Sequence, residues 1–142
     1  MHKLLVSSLI IFSQFASAYG QAEKPIKLDY FKETPTEIDG CSGSFTYDSV
    51  SLKQEKYIVI TNLQKLAFIR INGQTIKLTL YVKKHPSVKK FIESYKGGGY
   101  TMILTTVEGK QTGDETSLSS GTMEISNGSD KLIIKIHGEG GC

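Results

Sequence analysis

From Gly40 to the C-terminus, apolar and polar side chains alternate with period two in one short stretch after another. Alternation of this kind puts successive side chains on opposite faces of a β-strand, one face buried and one wet. Ser44–Tyr47, Tyr57–Thr61, Ala67–Ile71 and Thr75–Val82 carry it first. Within Thr75–Val82, the pattern sends Ile76, Leu78, Leu80 and Val82 to one face and Lys77, Thr79 and Tyr81 to the other. Asn72-Gly73 separates the last two stretches. That dipeptide suits a two-residue hairpin turn, where both central positions need positive φ.

Pro86–Tyr95 interrupts the alternation. Val88, Phe91 and Ile92 fall at i, i+3 and i+4, Pro86 suits a first helical turn, and Gly97-Gly98-Gly99 suits a helix C-terminus. The spacing predicts one short helix there. Tyr100–Val107 resumes as a strand and is followed by a turn at Glu108-Gly109-Lys110. Gly113–Leu118 is a weaker strand, and Thr122–Ser126 and Lys131–His137 make a hairpin across Asn127–Asp130. The predicted fold class is therefore mainly β. It consists of about eight strands in an antiparallel meander, closed as a barrel or a folded sandwich, with one short helix.

The first residues have another pattern. Met1-His2-Lys3 is basic, Leu4–Phe12 is apolar, and Ala16-Ser17-Ala18 supplies small residues at the spacing a signal peptidase requires. A buried N-terminal helix is the alternative for so short an apolar run. Residues 1–18 are read as a signal peptide, so the expected location is periplasmic or secreted. No later apolar run approaches the roughly 20 residues that cross a bilayer, so no integral membrane segment is expected after cleavage. Residues 19–39 hold Pro25, Pro35 and many charges with little periodicity, and are read as a leader segment, partly disordered. Residues 40–142 then form a single β domain. A net charge of +3 on 142 residues gives no strong pull toward nucleic acid or an anionic membrane.

The chain has two cysteines, Cys41 and Cys142. An even count in an oxidising compartment favours a disulfide between them, with two free thiols or an intermolecular bridge as the alternatives. Cys41 precedes the first predicted strand and Cys142 follows the last. If those strands pair antiparallel, the bond clips the sheet shut at one rim.

Candidate chemistry is sparse. His85 and His137 belong to no metal-binding spacing and have no cysteine near in sequence, so no metal or other cofactor is expected. Asp114-Glu115 lacks the alternating oxygen ligands of a calcium loop and reads as a turn. Asn127-Gly128-Ser129 is formally a glycosylation sequon and more simply a hairpin turn. No serine sits in a nucleophile elbow, and no catalytic residue is assigned. Lys83, Lys84, Lys89, Lys90 and Lys96 gather around the predicted helix, with Phe91, Tyr95 and Tyr100 nearby. This cluster is either a solvated helix face or a patch for an acidic partner. It lacks the regular aromatic platform that single-stranded nucleic acid requires.

Gly40-Cys41-Ser42-Gly43, Ala67–Gly73, Gly113–Thr116, Ser120-Gly121-Thr122 and Gly138-Glu139-Gly140-Gly141-Cys142 together resemble a group of small exported bacterial proteins of unassigned function. Those proteins begin on C-x-C and end on G-E-C-G-C. Here Gly43 and Gly140 stand at the inner cysteine positions, as the joint loss of a second bridge would leave them. A second, local likeness is to the membrane-bound C-type lysozyme inhibitors, whose inhibitory loop has an S-x-x-G-x-x-Y pattern. Ser94–Tyr100 has that spacing, though the later W-x-K-G segment and the lipid anchor of those inhibitors are missing. The likeness implies that Ser94 and Lys96 enter a lysozyme cleft.

The expected function is that of an exported, non-enzymatic, monomeric β-domain binding a protein or glycan partner. The expected partner-binding residues are Ser94, Lys96, Gly97, Tyr100, Lys89 and Lys90. A periplasmic inhibitor of C-type lysozyme and a structural envelope protein are the alternatives.

Overall fold

The structure is a computed structural model and describes residues 25–142, so the signal-peptide reading lies outside the described residues. Strands β1 (Ser42–Thr46), β2 (Val59–Thr61), β3 (Leu66–Ile71), β4 (Gln74–Ser87), β5 (Lys90–Gly97), β6 (Tyr100–Gln111), β7 (Thr116–Ser126) and β8 (Lys131–Gly141) form one antiparallel closed barrel in sequence order. Closure runs through β1 and β8, with Ser42 opposite Gly141 and Thr46 opposite His137. One residue beyond each strand, Cys41 and Cys142 form the expected disulfide, with Cα atoms 4.2 Å apart. The bond sits on the barrel seam, so it staples the two strands whose pairing turns a sheet into a barrel.

The predicted helix at Pro86–Tyr95 is absent. β4 and β5 instead continue as a long hairpin, with Lys83 opposite Glu93, Lys84 opposite Ile92 and Ser87 opposite Lys90. The i, i+3, i+4 spacing does not mark a shared apolar face here. Phe91 lines the barrel interior, Ile92 belongs to the opposite register, and Val88 is 85% exposed in the turn. An isolated helix of ten or so residues is marginal in water, whereas a hairpin gains ladder bonds from β6 along its whole second arm. The short helix, α1 (Ser49–Lys53), lies in the β1–β2 connection. It is capped by Asp48, which accepts a 2.7 Å hydrogen bond from the Ser51 N–H. That bond holds the exposed Asp48 carboxyl below its ordinary pKa.

Two further expectations change. A bulge between Leu80 and Val82 shifts the β4–β5 register, so Val82 leaves the face it would share with Leu80 and Lys83 turns inward. The packed region also starts before Gly40. Leu28 is buried in the core and bridges Ile71, Asp29 N–H donates to the Arg70 carbonyl, and Phe31 N–H donates to the Tyr57 carbonyl. These contacts place the described part of the leader across the barrel end that lies away from the disulfide. From there it runs to Glu37, whose carboxylate pairs with Lys77 at 2.6 Å.

The core is built from the inward stripes of the strands. It includes Phe45, Val59, Ile69, Leu78, Tyr95, Met102, Leu104, Met123, Ile125 and Ile136. Each long stripe changes character toward the disulfide end. β7 passes from Ile125 and Met123 to Gly121, Ser119 and Ser117, and β8 passes from Ile136 to Gly138 and Gly140. On β6 the same passage runs from Leu104 through Thr106 to Glu108. Apolar volume therefore fills one end of the barrel, and small or polar residues leave the other end hollow.

Candidate functional site

The hollow end results from unequal strand lengths. β3 follows β4 only as far as the Leu66–Thr79 pair, while β4 runs on to Ser87 and stays paired with β5. The β4–β5 hairpin therefore projects past the short strands as an arm, and one edge of its first strand lies outside the barrel ladder. Lys83, Lys84, the register shift near the tip and Pro86, which has no N–H, are devices that discourage edge-to-edge pairing. The arm's aromatic and cationic side chains lie on one another. His85 stacks on Phe91 with ring centroids 4.3 Å apart, and Lys83 Nζ stands 5.6 Å from the same ring centre.

Between the arm and the disulfide rim lies a cavity of about 350 Å³. Phe45, Leu63 and Phe91 supply apolar surface. Lys83, Glu93, Glu108 and Glu115 supply charge, and Thr106, Ser117 and Ser119 supply hydroxyls. Gly43 and Gly140, which are cross-strand partners, form part of one wall. A side chain on Gly43 would start 3.0 Å from Leu63 Cδ2, so Leu63 fills space that the two glycines leave. Leu63 is held in the left-handed region at φ 57° by a tight turn. The Asn62 side-chain oxygen fastens that turn by accepting from the N–H groups of Gln64, Lys65 and Leu66. The cavity floor is polar where it meets the core: Tyr95, 1% exposed, donates its hydroxyl to Glu93 Oε2 at 2.5 Å. Burial, then the Glu93 hydrogen bond and charge, push the Tyr95 phenol well above its ordinary value.

The residues expected from sequence do not come together. Lys89 and Lys90 are exposed at the arm's tip. Gly97 and Tyr100 flank the Gly98-Gly99 turn at the other end of β5, roughly 23 Å away at the usual strand rise. Ser94 is in mid-strand, opposite Val82 and Ile103, and is only 9% exposed. Lys96 lies over the Tyr81 ring on the outer face, 5.1 Å from its centroid. The S-x-x-G-x-x-Y stretch is thus a tight hairpin rather than a projecting loop. Gly97 has a packing duty of its own, since a Cβ there would lie 2.3 Å from the Lys77 carbonyl oxygen. Gly97→Ala is expected to destabilise the fold by about 2–3 kcal/mol, measured by urea unfolding, because backbone must move to admit the methyl group.

The cavity residues Glu93, Thr106, Glu108, Ser117 and Ser119 were not singled out by composition or motif. Their signal is positional: small and polar side chains recur at every second residue of β7, β8 and late β6. It becomes readable only when the inward register is known. Among the described residues, no group of histidine, cysteine or carboxylate side chains is arranged to hold a metal ion. No described helix is long and apolar enough to cross a membrane. Comparison of the chain with family models, curated proteins and solved structures finds no match in any of the three.

Proposed function

We propose that this chain is an exported binding domain, without enzymatic activity, that holds an acidic protein or glycan partner with the β4–β5 arm. The observation that carries this reading is the state of the arm's lysines. Lys84, Lys89 and Lys90 are all exposed and, with Lys83 turned into the cavity, form the arm's outward charge; none of them forms a salt bridge among the described residues. Like charges gathered on one projecting hairpin repel each other, and a partner bearing carboxylates or sulfates relieves that repulsion on contact. Val88, at the tip, adds apolar surface to the same contact. The lysozyme-inhibitor alternative requires Ser94 on a projecting element and draws no support from its place inside β5.

The test is a charge reversal on the arm. Lys84→Glu, Lys89→Glu and Lys90→Glu combined should weaken binding to heparin, as a glycan probe, or to poly-glutamate, as a protein probe, at least tenfold. Wild-type binding should also fall steeply between low and physiological salt. Equal binding of both probes by wild type and triple variant, measured by isothermal titration, would overturn the reading. Unchanged melting temperature in the variant would show that its fold is intact.

A further inference from the structure

We propose that the hollow end of the barrel is a separate binding site for a small organic cation, a primary ammonium or guanidinium carried on an apolar stem. This goes beyond the arm's reading, because it concerns the cavity interior and the opposite charge.

The walls already contain what such a ligand needs. Phe45, Phe91 and Leu63 offer an apolar bed for a stem, and ring faces that attract a cation. Three carboxylates, Glu93, Glu108 and Glu115, face one lysine, Lys83, so the lining is acidic even though the neighbouring arm is basic. Glu108 and Glu115 form no salt bridge among the described residues. Lys83 reaches the Phe91 ring rather than ion-pairing with Glu93, its cross-strand partner.

A second observation is independent of the acids. Thr106 is more than nine-tenths buried (8% exposed), lines the cavity on the inward register of β6, and makes no side-chain hydrogen bond among the described residues. The Thr106 oxygen is not sealed off inside the protein, so this unpartnered hydroxyl opens onto the cavity and is available to a ligand donor there. Ser117 and Ser119 continue the row of acceptors on β7. A cation with several N–H donors satisfies hydroxyl and carboxylate together, whereas an anion would face three carboxylates against one lysine.

The experiment is a titration of the disulfide-bonded protein with benzylamine, benzyl alcohol and phenylacetate, followed by amide chemical shifts. Benzylamine should saturate, with the largest shifts at Thr106, Glu108, Ser117 and Ser119, and bind at least tenfold more tightly than benzyl alcohol. Glu108→Gln with Glu115→Gln should weaken benzylamine at least tenfold while leaving the melting temperature unchanged, since both side chains are exposed. Thr106→Val should weaken it about three- to tenfold. Tighter binding of phenylacetate, equal binding of the alcohol, or shifts confined to the outer surface would each overturn the proposal. The arm variant Lys84→Glu, Lys89→Glu, Lys90→Glu should keep its benzylamine affinity, so the two readings can fail separately.

Discussion

Replacing Cys41 and Cys142 with serine should lower the melting temperature by roughly 15–20 °C. The bonded residues are 101 positions apart, so the bond closes a loop that contains nearly the whole barrel. Removing a cross-link of that length frees the unfolded chain and costs about 4–5 kcal/mol in the chain-entropy description. Apart from the bond, the seam rests on one short ladder: β1 is five residues long and pairs with β8 from Ser42–Gly141 to Thr46–His137. A barrel freed at that seam has two exposed edges in place of none, which is the state closed sheets avoid. The measurement is thermal unfolding by circular dichroism, with and without reductant. Wild type should move to the variant's midpoint when reduced, and the variant should ignore the reductant. A midpoint within a few degrees of wild type in the double serine variant would show that the ladder alone closes the barrel. Gly43, Gly140 and Gly141 line the cavity next to this bond, so the variant should also bind benzylamine more weakly.

The barrel was legible in the sequence because its information is local. Alternation in Ala67–Ile71 and Thr75–Val82, with Asn72-Gly73 between, specifies a hairpin without reference to the rest of the chain. Antiparallel neighbours then follow from short connections, and the terminal cysteines mark the seam. What was not legible depends on long-range facts. Val88, Phe91 and Ile92 have helical spacing, yet that segment becomes β4 and β5 because β6 offers it a ladder from Val107 to Tyr100. Val82 has the parity of Leu80, yet one bulge reverses it and sends Lys83 into the cavity. Leu28 stands between Ile26 and Tyr30 in one short alternation, set in a stretch whose charges and prolines read as a leader, and it is buried because it meets the end of the core at Ile71. The candidate site suffers most from this. Its residues come from β1, β4–β8 and the β2–β3 and β6–β7 turns, and only the register shows that Ser117, Thr106 and Glu93 face one space. The lysines, by contrast, are visible in any order, which is why sequence reading gravitates to them.

The second large effect belongs to Tyr95, where core and cavity meet. Tyr95→Ala should destabilise the barrel by about 3–5 kcal/mol, because a fully buried ring is lost from beside Met102 and Leu80 and its space cannot fully collapse. Tyr95→Phe separates ring from hydroxyl. It keeps the packing and removes the charge-assisted bond to Glu93, which should cost about 1.5 kcal/mol near neutral pH. The pH dependence then identifies the hydroxyl's role. The folded-state phenol titrates above its ordinary value of 10.0, because burial and Glu93 oppose its ionisation. Burial raises Tyr47 and Tyr57 as well. Above about pH 10 the unfolded chain loses phenolic protons that the folded one retains. Stability from this source is therefore whole below pH 10 and drains as pH rises, by up to about 1.4 kcal/mol per pH unit for each retained proton. Tyr95→Phe removes one such proton, so its alkaline limb should be shallower and the two stability curves should converge as pH rises. Urea unfolding at pH 8, 10 and 11, with tyrosinate absorbance read alongside, checks this. Parallel limbs in wild type and Tyr95→Phe would show that the Tyr95 phenol titrates freely and that its bond to Glu93 does not hold the proton.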